Sequence, residues 1–162
     1  MLITHSMGAC LVMKYIAKTG DNRKTIMCMP FISTSRVMHF ASYIPMIQYC
    51  YIPKCCLIPN HTIFEGGNLL NDDITLVRCS QVYQAITEMF LSDGDLVRVV
   101  NSHKNLRIIY ADNEQVSPIT SEILSQIRGK ISFSKGKHVS FANVIHMSDF
   151  FDVLTSQIKK LE

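Results

Sequence analysis

A serine at position 6, two acids at 112 and 114 and a histidine at 138 are the residues of this chain whose types could act together on a carbonyl group. An alkyl hydroxyl is a poor nucleophile. It needs a base within hydrogen-bond reach, and the base needs an acid that holds its ring in one tautomer. The three are scattered through the chain, so only a fold that delivers all of them to one place could use them. Each follows a short apolar run that reads as a strand. Ser6 follows residues 1–4, Asp112 and Glu114 follow 105–111, and His138 lies in the loop after 131–134.

The elements that must position Ser6 are legible around it. Thr4-His5-Ser6-Met7-Gly8 has the form small-x-Ser-x-Gly, the pattern of a nucleophile elbow. In that sharp strand-to-helix turn the serine is strained and its hydroxyl stands out at the carboxyl end of a parallel sheet. Small residues are expected two before and two after. Gly8 suits this, whereas the β-branched Thr4 crowds the turn. Ala9, Leu11, Val12, Tyr15 and Ile16 then recur at helical spacing until Gly20-Asp21-Asn22 ends the run. Residues 25–31, bounded by a charged turn and Pro30, read as a fully buried parallel strand. Strand, serine, helix, strand is the order an elbow requires.

From 33 to 101 the chain changes character. Pro45, Pro53 and Pro59, the Gly66-Gly67 turn and the Asp72-Asp73 pair exclude one long helix or a regular strand. Short helices are expected near 37–43, 74–91 and 95–102. The apolar run 44–58 could face an acyl chain or a membrane interface, or pack down on the sheet. Beyond it, 105–111 reads as a strand, Ser117-Pro118 as the start of a helix reaching 126, 131–134 as a strand and 144–161 as an amphipathic helix. The expectation is an α/β fold in three parts: elbow strand, helix and next strand over 1–32, an insertion over 33–101, and a further βαβα over 102–162.

The run His5-Ser6-Met7-Gly8 after an apolar strand closely resembles the elbow of the monoglyceride lipase branch of the α/β-hydrolases. The resemblance extends to the acid loop. There the family's Gly-x-x-Asp-x-apolar pattern, laid over Ala111 to Val116, puts Glu114 at the acid, with Asp112 as the alternative two positions earlier. The family's Gly-x-x-His pattern is matched, one residue shorter, by Gly136-Lys137-His138. The resemblance implies the carboxyl-terminal half of a hydrolase sheet with a helical cap over 33–101. It further implies Ser6 as nucleophile, His138 as base and Glu114 or Asp112 as the acid that orients it. The Met7 N–H would be one oxyanion donor. His103 and His146 are weaker candidates for the base, and His5 suits packing at the turn. The implied substrate is a small lipid ester such as a monoacylglycerol, with no cofactor and no metal. The family's first four strands have no counterpart here. The chain therefore resembles an amino-terminally truncated copy, of a poxvirus type, and a complementing amino-terminal fragment is an expected partner. Peripheral membrane contact through the cap is a further expectation.

Composition sets the remaining bounds. The 162 residues carry a formal charge of +3, with 18% charged and 48% hydrophobic residues. Basic runs interleaved with aromatics are missing, which argues against nucleic acid as a partner. No apolar stretch reaches the roughly 18 residues of a membrane span, and no signal-peptide pattern opens the sequence, so a cytoplasmic protein is expected. Cys10, Cys28, Cys50, Cys55, Cys56 and Cys79 form no C-x-x-C pair and no metal-ligand spacing, consistent with reduced thiols.

Overall fold

The computed structural model describes residues 1–31, 51–53, 76–78, 88 and 91–162. In chain order the elements are β1 (Leu2–His5), α1 (Met7–Thr19), β2 (Thr25–Cys28), β3 (Tyr51–Pro53), β4 (Leu76–Arg78), α2 (Asp93–Ser102), β5 (Leu106–Ala111), α3 (Ser121–Ile127), β6 (Ile131–Ser134) and α4 (Met147–Lys159). Strands β1, β2, β5 and β6 form one parallel sheet in that order. β3 and β4 make a separate antiparallel pair.

The central strands are covered on both faces, so they have no polar alternation. All four residues of β2 are buried, and β5 is buried except at Arg107. Successive side chains point to opposite faces. Met27 and Ile108 meet Ala9, Met13 and Ile16 of α1, Leu96, Val99 and Val100 of α2, and Ile123 and Ile127 of α3. Their neighbours Ile26, Cys28, Ile109 and Ala111 meet Phe150 of α4 and Leu161 on the other face. The result is a helix–sheet–helix sandwich. α2 belongs to its helical layer, although its sequence falls within the stretch expected to be an insertion.

Several expected boundaries move, each for a local reason. The helix expected at 74–91 is extended at Leu76–Arg78, where the backbone pairs with Tyr51–Pro53. Ser117-Pro118 does not open a helix. The Ser117 N–H is held by Glu114 Oε1 and its carbonyl by the Tyr110 hydroxyl, so α3 starts later, with Thr120 Oγ1 accepting from Ile123 N. The last helix begins at Met147 instead of 144, leaving Val144 and Ile145 exposed. On α1 the buried set is Ala9, Cys10, Met13 and Ile16, while Leu11 and Tyr15 face outward. The helix expected at 37–43 and, β3 apart, the apolar run 44–58 lie outside the described residues.

Candidate functional site

Ser6 joins β1 to α1 with φ 50° and ψ −122°, a left-handed conformation that costs a non-glycine residue roughly 1–3 kcal/mol. Its backbone is held there from three directions. The Ser6 N–H donates to the Cys28 carbonyl at 3.1 Å, and its carbonyl accepts from Ala9 N at 3.1 Å and Phe31 N at 3.0 Å. The hydroxyl is thereby pushed out at the carboxyl end of the sheet, and Met7 opens α1 directly behind it. The first N–H groups of a helix have no intrahelical acceptor, which leaves the Met7 N–H suited to an anionic oxygen. The crowding expected at Gly8 is not seen: among the described residues a Cβ there would meet no heavy atom within 4 Å. The Thr4 hydroxyl is buried without a hydrogen-bond partner among the described residues.

The base loop comes from the far edge of the sheet. β6 ends at Ser134, Gly136 turns the chain at φ 101°, and His138 is carried back over the strand ends. Gly136 is required twice over, because a Cβ there would also stand 2.8 Å from the His146 ring. His138 is 4% exposed. Its Nε2 lies 2.7 Å from Ser6 Oγ and its Nδ1 2.8 Å from Glu114 Oε2. A carboxylate can only accept, so Nδ1 carries the proton in this pair and Nε2 is left to accept from the serine hydroxyl.

Glu114 is fixed as firmly as the ring it holds. Its side chain is 1% exposed, and Oε1 accepts from Val116 N at 2.8 Å and Ser117 N at 3.2 Å. The loop that carries it is shaped by buried Tyr110, whose hydroxyl donates to the Ser117 carbonyl and accepts from Ile119 N. Burial pushes the Tyr110 phenol well above its ordinary range, so it stays a donor. Asp112 is placed elsewhere. Its Oδ1 accepts from Gly136 N at 2.9 Å, and with Asp112 N to Ser134 O and Asn113 N to Gly136 O it laces the acid loop to the base loop.

Ser6, His138 and Glu114 are thus brought into one hydrogen-bonded line, while Asp112 is not part of it. His103 stands at the end of α2, buried at the opposite end of the sheet. His146 is the residue before α4, packed on Gly136. Two participants had no signal in the sequence. Tyr110 looked like one more apolar strand residue, and the ring contact of His5 with Phe141, centroids 4.8 Å apart and nearly perpendicular, joins segments far apart in the chain.

Among solved structures, an α/β-hydrolase, GrgF from Penicillium sp. sh18, superposes with a TM-score of 0.51 at 13% identity, over 99% of this chain and 62% of that one. The fold is that of an α/β-hydrolase. The chain spans less than two thirds of the length of that hydrolase. No family model matches the sequence, and no curated protein matches it. Among the described residues no helix is long and apolar enough to cross a membrane.

Proposed function

We propose that this α/β-hydrolase fold is a serine hydrolase of carboxylic esters, acting through an acyl-enzyme, with a monoacylglycerol-like lipid ester as substrate. One pair of contacts supports it above all: Ser6 Oγ to His138 Nε2 at 2.7 Å, and His138 Nδ1 to Glu114 Oε2 at 2.8 Å. His138 takes the proton of Ser6 as the hydroxyl oxygen attacks the ester carbonyl, and Glu114 holds the ring and balances the imidazolium that forms. The Met7 N–H donates to the tetrahedral oxyanion. His138 then returns the proton to the leaving alcohol. Water, activated by the same histidine, attacks the acyl-serine and frees the acid.

The monoglyceride lipase branch rests on the elbow, acid-loop and histidine-loop patterns in the sequence. Release of glycerol from monoacylglycerols of graded chain length tests it. Peripheral membrane contact through residues 44–58 is tested separately by flotation with vesicles.

The first experiment is labelling of the purified chain with a fluorophosphonate, with Ser6→Ala as control. Labelling that disappears in the variant is expected. A folded chain that does not label would sink the autonomous hydrolase.

A second reading has its own support. Among the described residues β1 is an edge strand, with Ile3 50% exposed and, on the helix behind it, Leu11 57% and Tyr15 47% exposed. A parallel edge that no described strand pairs, beside an apolar helix face, is a template for another strand. In this reading the chain is either a non-catalytic interaction module or half of a split enzyme. A fragment carrying the preceding strands would restore labelling to a chain inert alone if it is half an enzyme, and would not if it is a remnant.

A further inference from the structure

Ser6 follows β1 and His138 lies in the loop after β6, the two outer strands of the described sheet, which stand roughly 14 Å apart at a strand spacing of about 4.8 Å. The histidine loop must therefore reach across two strands, and contacts to its main chain as well as to its ring must fix where it stops. Glu114 holds the His138 ring at Nδ1, but it does so from the loop after β5, not from the elbow side. On the elbow side one side chain grips the main chain of the base. His5 Nε2 lies 3.1 Å from the His138 carbonyl oxygen. A carbonyl only accepts, so Nε2 is the protonated nitrogen of His5. The same ring packs nearly perpendicular to Phe141, which lies in the short 3-10 turn just after His138 and itself touches Phe150 of α4.

We propose that His5 is a positioning residue for the base: its Nε2–H holds the main-chain carbonyl of His138 and sets where the imidazole stands over Ser6. This rests on the serine-hydrolase reading for its consequence, though not for its geometry. The choice of histidine has a physical sense. The two imidazoles have centroids 5.3 Å apart, and the charged groups His5 faces are His138 and Glu114. Burial holds the pKa of His5 below its ordinary value, so the ring donates its hydrogen bond without placing a second cation beside the imidazolium formed during catalysis. A lysine or arginine would supply the donor but also the repulsion.

Two substitutions separate donor from shape. His5→Phe keeps a ring against Phe141 and removes the donor, while His5→Gln keeps a donor near the position of Nε2 and removes the ring. On p-nitrophenyl butyrate, His5→Phe is expected to lower kcat about ten- to a hundredfold with KM little changed, since a misplaced catalytic group is costly while binding is not. His5→Gln should recover most of that loss. In proton NMR, the downfield resonance of the His138 Nδ1–H shared with Glu114 should broaden or vanish in His5→Phe and persist in His5→Gln, with the sheet amides unmoved in both. Unchanged turnover in His5→Phe, an equal fall in both variants, or an Nδ1–H resonance indifferent to the substitutions would overturn the proposal. Should the wild-type chain fail to label with a fluorophosphonate, the hydrolase reading fails by itself, and the NMR comparison alone decides the role of His5.

Discussion

Two histidines of this chain are equally buried and could hardly be more differently placed. His138, at the carboxyl end of the sheet, is 4% exposed, and His103, at the end of α2, is 5% exposed. His138 has an alcohol on one nitrogen and a carboxylate on the other. Neither ring nitrogen of His103 finds a hydrogen-bond partner among the described residues. Burial alone therefore says little about chemistry. A proton can be held and moved only where a ring is flanked by both a group that gives it up and one that steadies the charge. An unpaired buried ring only costs stability. Even the neighbourhood differs in kind: Lys130 Nζ donates to the carbonyls of His103 and Lys104, closing a helix end, and its charge opposes protonation of the imidazole beside it.

The sharpest way to break the comparison is to turn His138 into a ring with the wrong partner. Glu114→Gln should do so with no change of shape. Two backbone N–H groups, of Val116 and Ser117, hold Oε1, so the amide oxygen must take that side and the amide NH2 must face His138 Nδ1. Nδ1 then accepts, the proton moves to Nε2, and Ser6 loses its base. A fall in ester turnover of about ten-thousandfold is expected, the size seen when an orienting acid becomes its amide. Asp112→Asn keeps an acceptor for Gly136 N and should change turnover by no more than about threefold, within what a retained hydrogen bond allows. Initial rates of the two variants side by side decide it. An equal loss in both would remove the distinction between the two acids.

Gly136→Ala attacks the same region through the backbone. The residue sits at φ 101°, and the new methyl would press on the His146 ring at 2.8 Å and on Ser140 at 3.2 Å. We expect a loss of about 1–3 kcal/mol in urea unfolding, with a larger fall in kcat than in binding because the base loop must shift. Unaltered stability would mean that the loop relaxes freely and that His138 is held by its side chain alone.

These pairs also show what sequence could and could not deliver. The strand ends were readable because β2 and β5 are nearly uninterrupted apolar runs, and a parallel sheet places the loops that follow at one end. That brings Ser6, the acids and His138 to the same neighbourhood. Glu114 and Asp112, two residues apart in one loop, could not be separated, since the choice depends on which carboxylate meets the Val116 and Ser117 amides and which meets Gly136. The late start of α3 has the same origin: Glu114 and Tyr110 occupy the Ser117 backbone, a tertiary demand that overrides the helix-opening signal of Ser117-Pro118. Outward-facing Leu11 and Tyr15 mislead periodicity in another way, because the helix turns its small residues, Ala9 and Cys10, to the core.

The smallest expected effect comes from the other histidine. Burial lowers the pKa of His103 below the 6.5 of a free imidazole. Between that lowered value and 6.5 the unfolded chain binds a proton that the folded chain does not, so stability rises with pH through this window and is lost as pH falls below 6.5. Half-buried His5 is shifted in the same direction and adds to the same slope. His103→Leu removes one of the two contributions and one unpaired polar ring, in a site that an apolar side chain of similar size can fill. Near pH 7 the variant should be as stable as the parent or more so by up to about 1 kcal/mol, and the advantage should widen toward pH 5. Urea midpoints across that range test it, with turnover as the second readout, since nothing at this end of the sheet touches Ser6. A variant clearly less stable at pH 7, or one that keeps the full acid slope, would mean that His103 has partners after all, and the contrast with His138 would then be one of degree.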